Sequence, residues 1–408
     1  MESRESTYKT EQHIPGDKRF VVLLAYLSAF GPFSTDLYLP ALPGMAEYFQ
    51  APISQVNMTI IAFFLFFGIG TLFWGPLSDK YGRKPILLTG VGLYTAGSAL
   101  SACAGGIHQL IAFRILQAIG GGAIIAVAIA IVKDTYSGRR RESILAVIQS
   151  IMLLAPIIAP IPGALILQFT SWRGAFWVMT GLGCIGFLGS LTLAETLRIR
   201  YAGTIPQALG RLIVVLRNPS FAVLLVLFSF MAIPMMAYVA GSSYMYIQHF
   251  GLTEMQFSYF FVLNAIFCPV GPMLYVLLSK RFRRGSIIVF GFIMFIVSGV
   301  LIICVGTHSP WFLVASVVPM TIFGGAVRPP GAHLLLEQQK EDTGSASSLM
   351  SCFGILFGSI GMLMISIDWN DLVPILGTLT LLSGLASVFL WLAIASRMKQ
   401  VKSCLTAD

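Results

Sequence analysis

Long apolar segments recur along nearly the whole chain, and they constrain its fold more than any other feature. Twelve of them reach the length of about 20 residues that crosses a bilayer as a helix. Only 11% of the 408 residues are charged, which is too little polar surface for a water-soluble fold. The predicted fold class is an all-α membrane protein whose spans, helix 1 to helix 12, lie near 20–43, 54–76, 86–104, 107–132, 142–168, 175–195, 220–246, 255–279, 286–306, 310–336, 344–367 and 371–396.

Basic residues are distributed unevenly between the two sides of these spans. Lys and Arg number 26 against 17 Asp and Glu, for a net charge of +9. Twenty-three of the 26 fall in the tails and loops of one side, and the opposite side has only Arg173, with Arg114 and Arg328 inside spans. By the positive-inside rule, both termini are expected in the cytoplasm. The charge excess therefore indicates membrane topology and not a nucleic-acid partner.

The twelve spans divide into two sets of six, and a weak internal repeat supports this division. A shift of 200 residues places the 75–85 loop on the loop between helices 8 and 9, where Arg83 aligns with Arg283 and Lys80 with Lys280. Parallel repeats of this kind are found in transporters built from two related halves. We predict two pseudo-symmetric six-helix bundles at 20–195 and 220–396, tails at 1–19 and 397–408, and a central loop at 196–219.

The central loop carries apolar residues at helical spacing between Ile205 and Leu216. Thr204 is a candidate cap, and Pro206 suits a first helical turn. Two interpretations stay open, a short helix on the membrane surface and a plain tether between the halves.

Charged residues inside the spans are few, and such residues mark either a transport pathway or a structural pair. Asp36 is the one acid well inside a predicted span, in FSTDLYLPALP, where three prolines would loosen the helix. Arg114 in helix 4 lies at the same depth, because both residues are about seven positions, or roughly 10 Å, from the outer surface. One interpretation is a protonatable Asp36 balanced by Arg114, Gln117 or a cationic substrate. The other is a fixed ion pair without a part in transport.

Other polar residues in the spans are candidate substrate contacts, namely Tyr38 in helix 1, Asn264 in helix 8 and Arg328 in helix 10. Arg328 precedes two prolines, so it could bind an anionic substrate group or bond carbonyls freed by a broken helix. Both interpretations of Arg328 stay open. The six cysteines show no metal-ligand spacing, so no metal site is predicted.

A tight charged turn, GPLSDKYGRKP at 75–85, joins helices 2 and 3, and its glycines permit close backbone approach. It resembles, position for position, the loop G-x-L-x-D-x-x-G-R-[RK] of the major facilitator superfamily. The stretches STDLYLPALP, FRILQAIGGG, SWRGAFW, AETL and GSASSL further resemble the bicyclomycin and chloramphenicol resistance (Bcr/CflA) subfamily of drug:H⁺ antiporters. The resemblance implies that Asp36 couples proton and substrate movement and that Arg114 belongs to the proton relay.

The same resemblance implies a gating role for the charged turn, through Gly75, Asp79, Gly82, Arg83, Lys84 and Asp134. Arg83 is expected to pair with Asp134, the acid that ends helix 4. Asp79 is expected to cap the start of helix 11 near Gly344 and Ser345, where the helix dipole favours an anion. These contacts would lock the outward-facing state.

Helix 5 carries Pro156, Pro160 and Pro162 in LLAPIIAPIPGALI, and prolines this dense should kink it. Antiporters of the superfamily have Gly-Pro-x-x-Gly-Gly in this helix. This chain keeps Pro160 and Gly163 of that element and has alanine at the other two glycine positions. The antiporter interpretation is therefore weakened by the sequence but retained.

These observations predict a proton-coupled exporter of small amphipathic drugs that works by alternating access as a monomer in the bacterial cytoplasmic membrane. Its expected partners are the small-molecule substrate, protons and the lipid bilayer. The proton gradient is the expected energy source, and no cofactor is expected. The sequence shows no nucleophile, paired carboxylates or phosphate loop that would indicate an enzyme. Two alternatives stay open, a proton-coupled importer of a small metabolite and a non-transporting membrane sensor.

Overall fold

The computed structural model describes residues 17–197, 205–339 and 343–397, and the regular structure within these ranges is helical throughout. Twelve helical segments are long and apolar enough to cross a membrane, which confirms the predicted fold class. The first half contains Asp17–Ser28, Phe30–Asp36, the 3-10 turn Leu39–Ala41 and Leu42–Phe49 (helix 1), Ile53–Tyr81 (helix 2), Arg83–Ala102 (helix 3), Ile107–Thr135 (helix 4), Gly138–Ile158 with Pro160–Phe169 (helix 5), and Arg173–Leu191 (helix 6).

The second half follows a linker helix, Ile205–Leu216. It contains Pro219–Ser229, Ala232–Ser243 and the π-helical turn Tyr244–His249 (helix 7), Glu254–Ala265 with Val270–Leu278 (helix 8), Arg284–Val305 (helix 9), Pro310–Glu337 (helix 10), Thr343–Ile365 (helix 11) and Leu372–Arg397 (helix 12).

Both halves use the same pattern of helix packing. Helix 3 packs on helices 4 and 6, as helix 9 packs on helices 10 and 12, and helix 2 packs on helix 4 as helix 8 packs on helix 10. Glycines bring these helices together, since a Cβ on Gly120 would overlap the backbone of Tyr94 and one on Gly299 that of Leu381. Close approach through small residues is the usual way that helices associate in lipid.

Prolines interrupt helices 1 and 5, where the sequence predicts a loosened or kinked helix. Helix 1 stops at Asp36 and resumes through a 3-10 turn that contains Pro40. Helix 5 divides at Ala159, directly before Pro160, because proline cannot donate the backbone hydrogen bond that continues a helix.

Helix 10 differs from the expectation. It continues through Pro329 and Pro330 as far as Glu337, so the break considered beside Arg328 is absent. Prolines are tolerated in membrane helices where the surroundings compensate for the lost backbone bonds.

The linker between the halves contains a helix from Ile205 to Leu216, so the helix interpretation is confirmed over the tether. Val215 is buried, and Leu212 and Leu216 pack against the same apolar core. Thr204, the predicted cap, lies outside the described residues.

The two ends of the bundle differ in how tightly the halves meet. We call the end that carries the 2–3, 4–5 and 8–9 loops the basic end. At the opposite end, Asn57 of helix 2 donates to the Ser366 hydroxyl at 2.8 Å and to the Ala240 carbonyl at 3.4 Å. The Ser258 hydroxyl of helix 8 donates to the Pro160 carbonyl of helix 5 at 3.0 Å. These bonds close the opposite end.

The basic end is open. Gly68 of helix 2 still packs on Ile355 of helix 11 at mid-depth. Nearer the basic end, a Cβ built on Gly75 of helix 2 or on Gly354 of helix 11 would meet no atom within 4 Å. The basic-end part of helix 5 is largely exposed. The space between the halves therefore opens toward the basic end.

Candidate functional site

Asp36 lies at the point where helix 1 breaks. It ends the helical piece Phe30–Asp36 and is 5% exposed. Its Oδ1 accepts a hydrogen bond from the Thr35 hydroxyl at 3.3 Å. The break directly after it places the carboxylate beside irregular backbone, an arrangement found at membrane depth only where protein or a water-filled cavity surrounds it.

Arg114 is fully buried among aromatic rings of three helices. Its guanidinium carbon lies 4.2 Å from the ring centre of Phe63 and 4.6 Å from that of Tyr38. Its Nη1 donates to the Gln117 side chain at 2.6 Å, and its Nε donates to the Thr59 carbonyl at 3.3 Å. The structure thus stabilises this charge by ring faces and neutral acceptors.

The structure brings Arg114 and Gln117 together but does not pair Arg114 with Asp36. Among the described residues, no carboxylate oxygen lies within 4.0 Å of the Arg114 guanidinium. Its Nη2 has no hydrogen-bond partner there. The fixed ion pair between Asp36 and Arg114 is therefore wrong for this conformation. The physical reason is that Tyr38, the second residue after Asp36, lays its ring against the guanidinium.

The Arg114 cluster continues through hydroxyl groups. Gln117 donates to the Ser98 hydroxyl at 2.7 Å. The Tyr38 and Thr59 hydroxyls share a hydrogen bond of 3.0 Å, and Tyr38 is itself buried. Tyr38 is therefore part of this buried polar cluster and is not exposed to a substrate in this conformation.

Helix 5 touches helix 1 directly beside Asp36. A Cβ built on Gly163 would overlap the carbonyl of Leu37, the residue that follows Asp36. Only a glycine allows this approach. Of the antiporter-like element, Gly163 thus packs on the break in helix 1, and Pro160 supplies the carbonyl bonded by helix 8. Pro156 lies inside the first piece of helix 5, and Pro162 lies in the first turn of the second.

The second half supplies a separate polar wall. Asn264 of helix 8 accepts a hydrogen bond from the Thr321 hydroxyl of helix 10 at 3.0 Å, and both residues are buried. Arg328 lies two turns further along helix 10 and is exposed. Cys268, in the break of helix 8, is half-buried, and its carbonyl lies close to Gly325 of helix 10.

The charged turn forms the expected pair at the basic end. Arg83 donates from Nε to the Asp134 carboxylate at 2.7 Å. Its Nη1 contacts the Asp79 carboxylate at 2.5 Å and the Ser78 hydroxyl at 2.6 Å. Lys84 donates to the Leu191 carbonyl at 2.8 Å. The turn therefore ties helices 2, 3, 4 and 6 of the first half together.

The expected contact of Asp79 with the start of helix 11 differs in the structure. The Asp79 carboxylate lies on Arg83, within its own half. A Cβ on Gly344 at the start of helix 11 would meet nothing within 4 Å. The open basic end explains this, because helix 11 belongs to the other half.

Glu195 is a member of this basic-end cluster that the sequence reasoning missed. Its carboxylate accepts hydrogen bonds from the backbone N–H groups of Arg83 at 2.9 Å and Lys84 at 3.2 Å, at the start of helix 3. Gly82 has φ of 111°, and a Cβ there would come within 2.5 Å of Glu195 Oε2. The signal was present in AETL, an acid just after helix 6, opposite a helix start without a capping side chain.

The ionisation of Glu195 reflects these bonds. Partial burial pushes the pKa of Glu195 up. Four backbone N–H groups, those of Leu197, Arg83, Lys84 and Thr196, outweigh that effect and hold its pKa below the ordinary value. The carboxylate acts as an anionic cap at a positive helix end.

Two six-helix halves around a space that opens at one end, with charged residues inside the spans, are the architecture of a membrane transporter. The chain belongs to the Major Facilitator Superfamily, whose family profile matches residues 22–362. This confirms the first part of the predicted resemblance.

Three curated relatives are similar over most of their length. The chain is 30% identical over 366 residues to the MFS-type transporter YdgK of Bacillus subtilis, covering 86% of this chain and 89% of that protein. It is 27% identical over 386 residues to the bicyclomycin resistance protein homolog of Haemophilus influenzae, covering 91% and 96%. It is 26% identical over 383 residues to the chloramphenicol resistance protein of Pseudomonas aeruginosa, covering 90% of each. These names confirm the resemblance to the Bcr/CflA subfamily.

The fold is shared with solved transporters. A crystal structure of the peptide transporter POT superimposes with a TM-score of 0.76, covering 93% of this chain and 95% of that one at 16% identity. This similarity concerns the fold alone. Family and structural neighbours are transporters, in agreement with the prediction of a carrier and not an enzyme.

Proposed function

We propose that this transporter exports small amphipathic compounds in exchange for protons, with Asp36 as the group that binds the proton and senses the substrate. The observation that carries the proposal is the position of Asp36. It is a carboxylate inside a span, at a helix break, without a basic partner among the described residues. An acid in this setting can change its protonation as its surroundings change.

The surroundings of Asp36 support the proposal. Gly163 of the antiporter-like element packs on Leu37, the residue after Asp36. Movement of helix 5 would therefore change the surroundings of the Asp36 carboxylate. Arg114 packs against the ring of Tyr38, the second residue after Asp36. Reorientation of Tyr38 would therefore couple the break in helix 1 to the Arg114 cluster.

The orientation of the open end and the names of two relatives support export as the direction of transport. With the basic end in the cytoplasm by the positive-inside rule, the structure is open inward, ready to take a compound from the cytoplasm or the inner leaflet. Two relatives are named for resistance to antibiotics, which supports export. We place the protein as a monomer in a bacterial cytoplasmic membrane with both termini inside. The proton gradient is its energy source, and no cofactor takes part.

Drug resistance of cells tests this proposal. Cells that express the chain should survive a panel of amphipathic antibiotics better than cells without it, and Asp36→Asn should lose that advantage at equal membrane abundance. Asp368→Asn, which changes an exposed acid in the loop after helix 11, is the matched control and should keep it. Full resistance with Asp36→Asn would contradict the proposal, as would greater sensitivity in cells that express the unaltered chain.

A further inference from the structure

Arg328 is a cation inside a membrane span that no group among the described residues neutralises. It lies nine residues before the end of helix 10 at Glu337, or roughly 14 Å from the basic end. No hydrogen bond, ion pair or ring contact joins its guanidinium to another described residue. A charge inside a span is costly, and its persistence without a partner marks a ligand pathway.

The Arg328 side chain faces the space between the halves and not the lipid. Residues three, four, seven and eleven positions before it lie on the same face of helix 10. All four are buried inside the protein, namely Gly325, Gly324, Thr321 and Val317. The same face contacts the other helices of the second half. Helix 8 approaches it where Gly325 comes close to the Cys268 carbonyl. An exposed residue on this inward face is exposed to the internal space.

Arg328 does not bond the backbone carbonyls that the following prolines leave free. Pro329 and Pro330 lack the N–H groups that would satisfy the carbonyls of Gly325 and Ala326. Arg328 could bond these carbonyls, but it donates to neither of them. Its guanidinium therefore remains available to a ligand.

Asp36 of the first half is the acid inside a span, without a basic partner among the described residues. Cys268, in the break of helix 8, lies against the face of helix 10 that carries Arg328. Helix 8 also contacts the 3-10 turn of helix 1 that follows Asp36. The two side chains form no ion pair with one another. A molecule that enters this space therefore meets the exposed Arg328 directly, and the buried Asp36 lies at the helix break of the other half.

We propose that Arg328 is the anion subsite of the transport site and that the substrates include amphipathic carboxylates, zwitterionic ones among them. This inference rests on the proposed transport function and specifies its substrate class. A planar guanidinium matches a carboxylate with two parallel hydrogen bonds, which a lysine cannot reproduce. In a zwitterion the amine would lie toward Asp36, and the apolar body would contact the walls between them.

Binding of a matched pair of probes tests the subsite without a proton gradient. The probes are 2-naphthoate and 2-naphthamide, which share shape and apolar area and differ in charge, and the purified protein is used in detergent. The unaltered chain should bind the carboxylate at least about tenfold more tightly than the amide. Arg328→Gln should abolish this preference and leave amide binding unchanged, and Arg328→Lys should retain part of it. Arg211→Gln, on the exposed face of the linker helix, should behave like the unaltered chain.

Cys268 provides an independent readout. With the other cysteines replaced, an anionic methanethiosulfonate should modify Cys268 faster than a cationic one of similar size, and Arg328→Gln should reverse the order. Naphthoate should protect the thiol only when Arg328 is present.

The subsite proposal is overturned if the unaltered chain binds 2-naphthoate and 2-naphthamide equally, or binds no naphthoate. It is also overturned if Arg328→Gln keeps the preference for the carboxylate, or weakens binding of both probes by the same factor. Carboxylate selectivity that depends on Arg328, together with resistance that survives Asp36→Asn, would leave the subsite standing and contradict the proposed proton coupling. The two failures are thus distinguishable.

Discussion

At the residue scale, Arg114 shows how a charge is kept inside the bundle without a counterion from the part of the chain that the structure describes. Two ring faces, a side-chain amide and a backbone carbonyl surround it. The sequence placed Arg114 at the depth of Asp36, and depth alone suggested an ion pair. The sequence could not show which side chains surround the guanidinium, because Phe63 and Tyr38 come from two other helices.

Two substitutions of Arg114 distinguish the contribution of its charge to efflux from that of its planar shape. Arg114→Ala removes the buried cation that joins helices 1, 2 and 4. It should lower the initial rate of efflux at least about tenfold, which corresponds to about 1.4 kcal/mol in the barrier. Arg114→Lys keeps the charge but loses the planar fork, so its rate should lie between the two. Efflux is measured in everted vesicles, with the same pair of changes at the exposed Arg211 as control. Unchanged rates with Arg114→Ala would refute a role in coupling.

At the element scale, helix 5 depends on a close approach to helix 1. Gly163→Ala would overlap the Leu37 carbonyl and should lower stability by about 1–3 kcal/mol, the usual effect of overpacking. Gly181→Ala in helix 6 is the control, because a Cβ there meets nothing within 4 Å. The thermal midpoints of the purified variants are compared. An equal midpoint for both variants would show that helix 5 can move aside without cost.

The start of helix 3 depends on Glu195 and therefore on pH. Because the pKa of Glu195 is lowered in the folded protein, its contribution to stability is complete above the ordinary value of about 4.5. That contribution is lost as pH falls through the lowered value. Protection of the Arg83 and Lys84 amides from hydrogen exchange should fall in this acidic window and stay high above it. Glu195→Gln should show weaker protection and no such transition, and a transition of the same size in that variant would argue against the cap.

The sequence predicted some of these features and not others, and the difference has physical reasons. Proline placement predicted the breaks in helices 1 and 5, because a missing N–H is a local property. Proline placement did not predict the continuous helix 10, because the surroundings of the two prolines decide whether a helix tolerates them. The role of Glu195 was not predicted, because 112 residues separate Glu195 from Arg83 in the sequence. The Arg83–Asp134 pair was expected from a family resemblance that already contains tertiary information.

At the scale of the whole molecule, the charged turn is the expected latch between the two conformations. In this open state Arg83 holds both Asp79 and Asp134 within the first half. Closing the basic end would bring the start of helix 11 to Asp79. Asp79→Asn should therefore destabilise the closed basic end, slow turnover and leave drug affinity nearly unchanged.

Accessibility of the basic end measures this latch. A reporter cysteine introduced by Gly354→Cys, where the structure has room for it, should be labelled faster when Asp79→Asn is added. Glu142→Gln, an exposed acid at the same end, is the control and should leave the labelling rate unchanged. Lost drug binding with unaltered labelling would assign Asp79 to the binding site and not to a latch.

The measurement that tests the central claim most directly is drug-driven proton movement in liposomes that contain only this protein. A transported compound is applied to one side, and a pH-sensitive dye reports the counterflow of protons. The unaltered chain and Asp368→Asn should move protons whenever the compound moves, and Asp36→Asn should abolish this proton movement at equal protein content. Compound transport by the unaltered chain without proton movement, or undiminished proton movement with Asp36→Asn, would contradict the account.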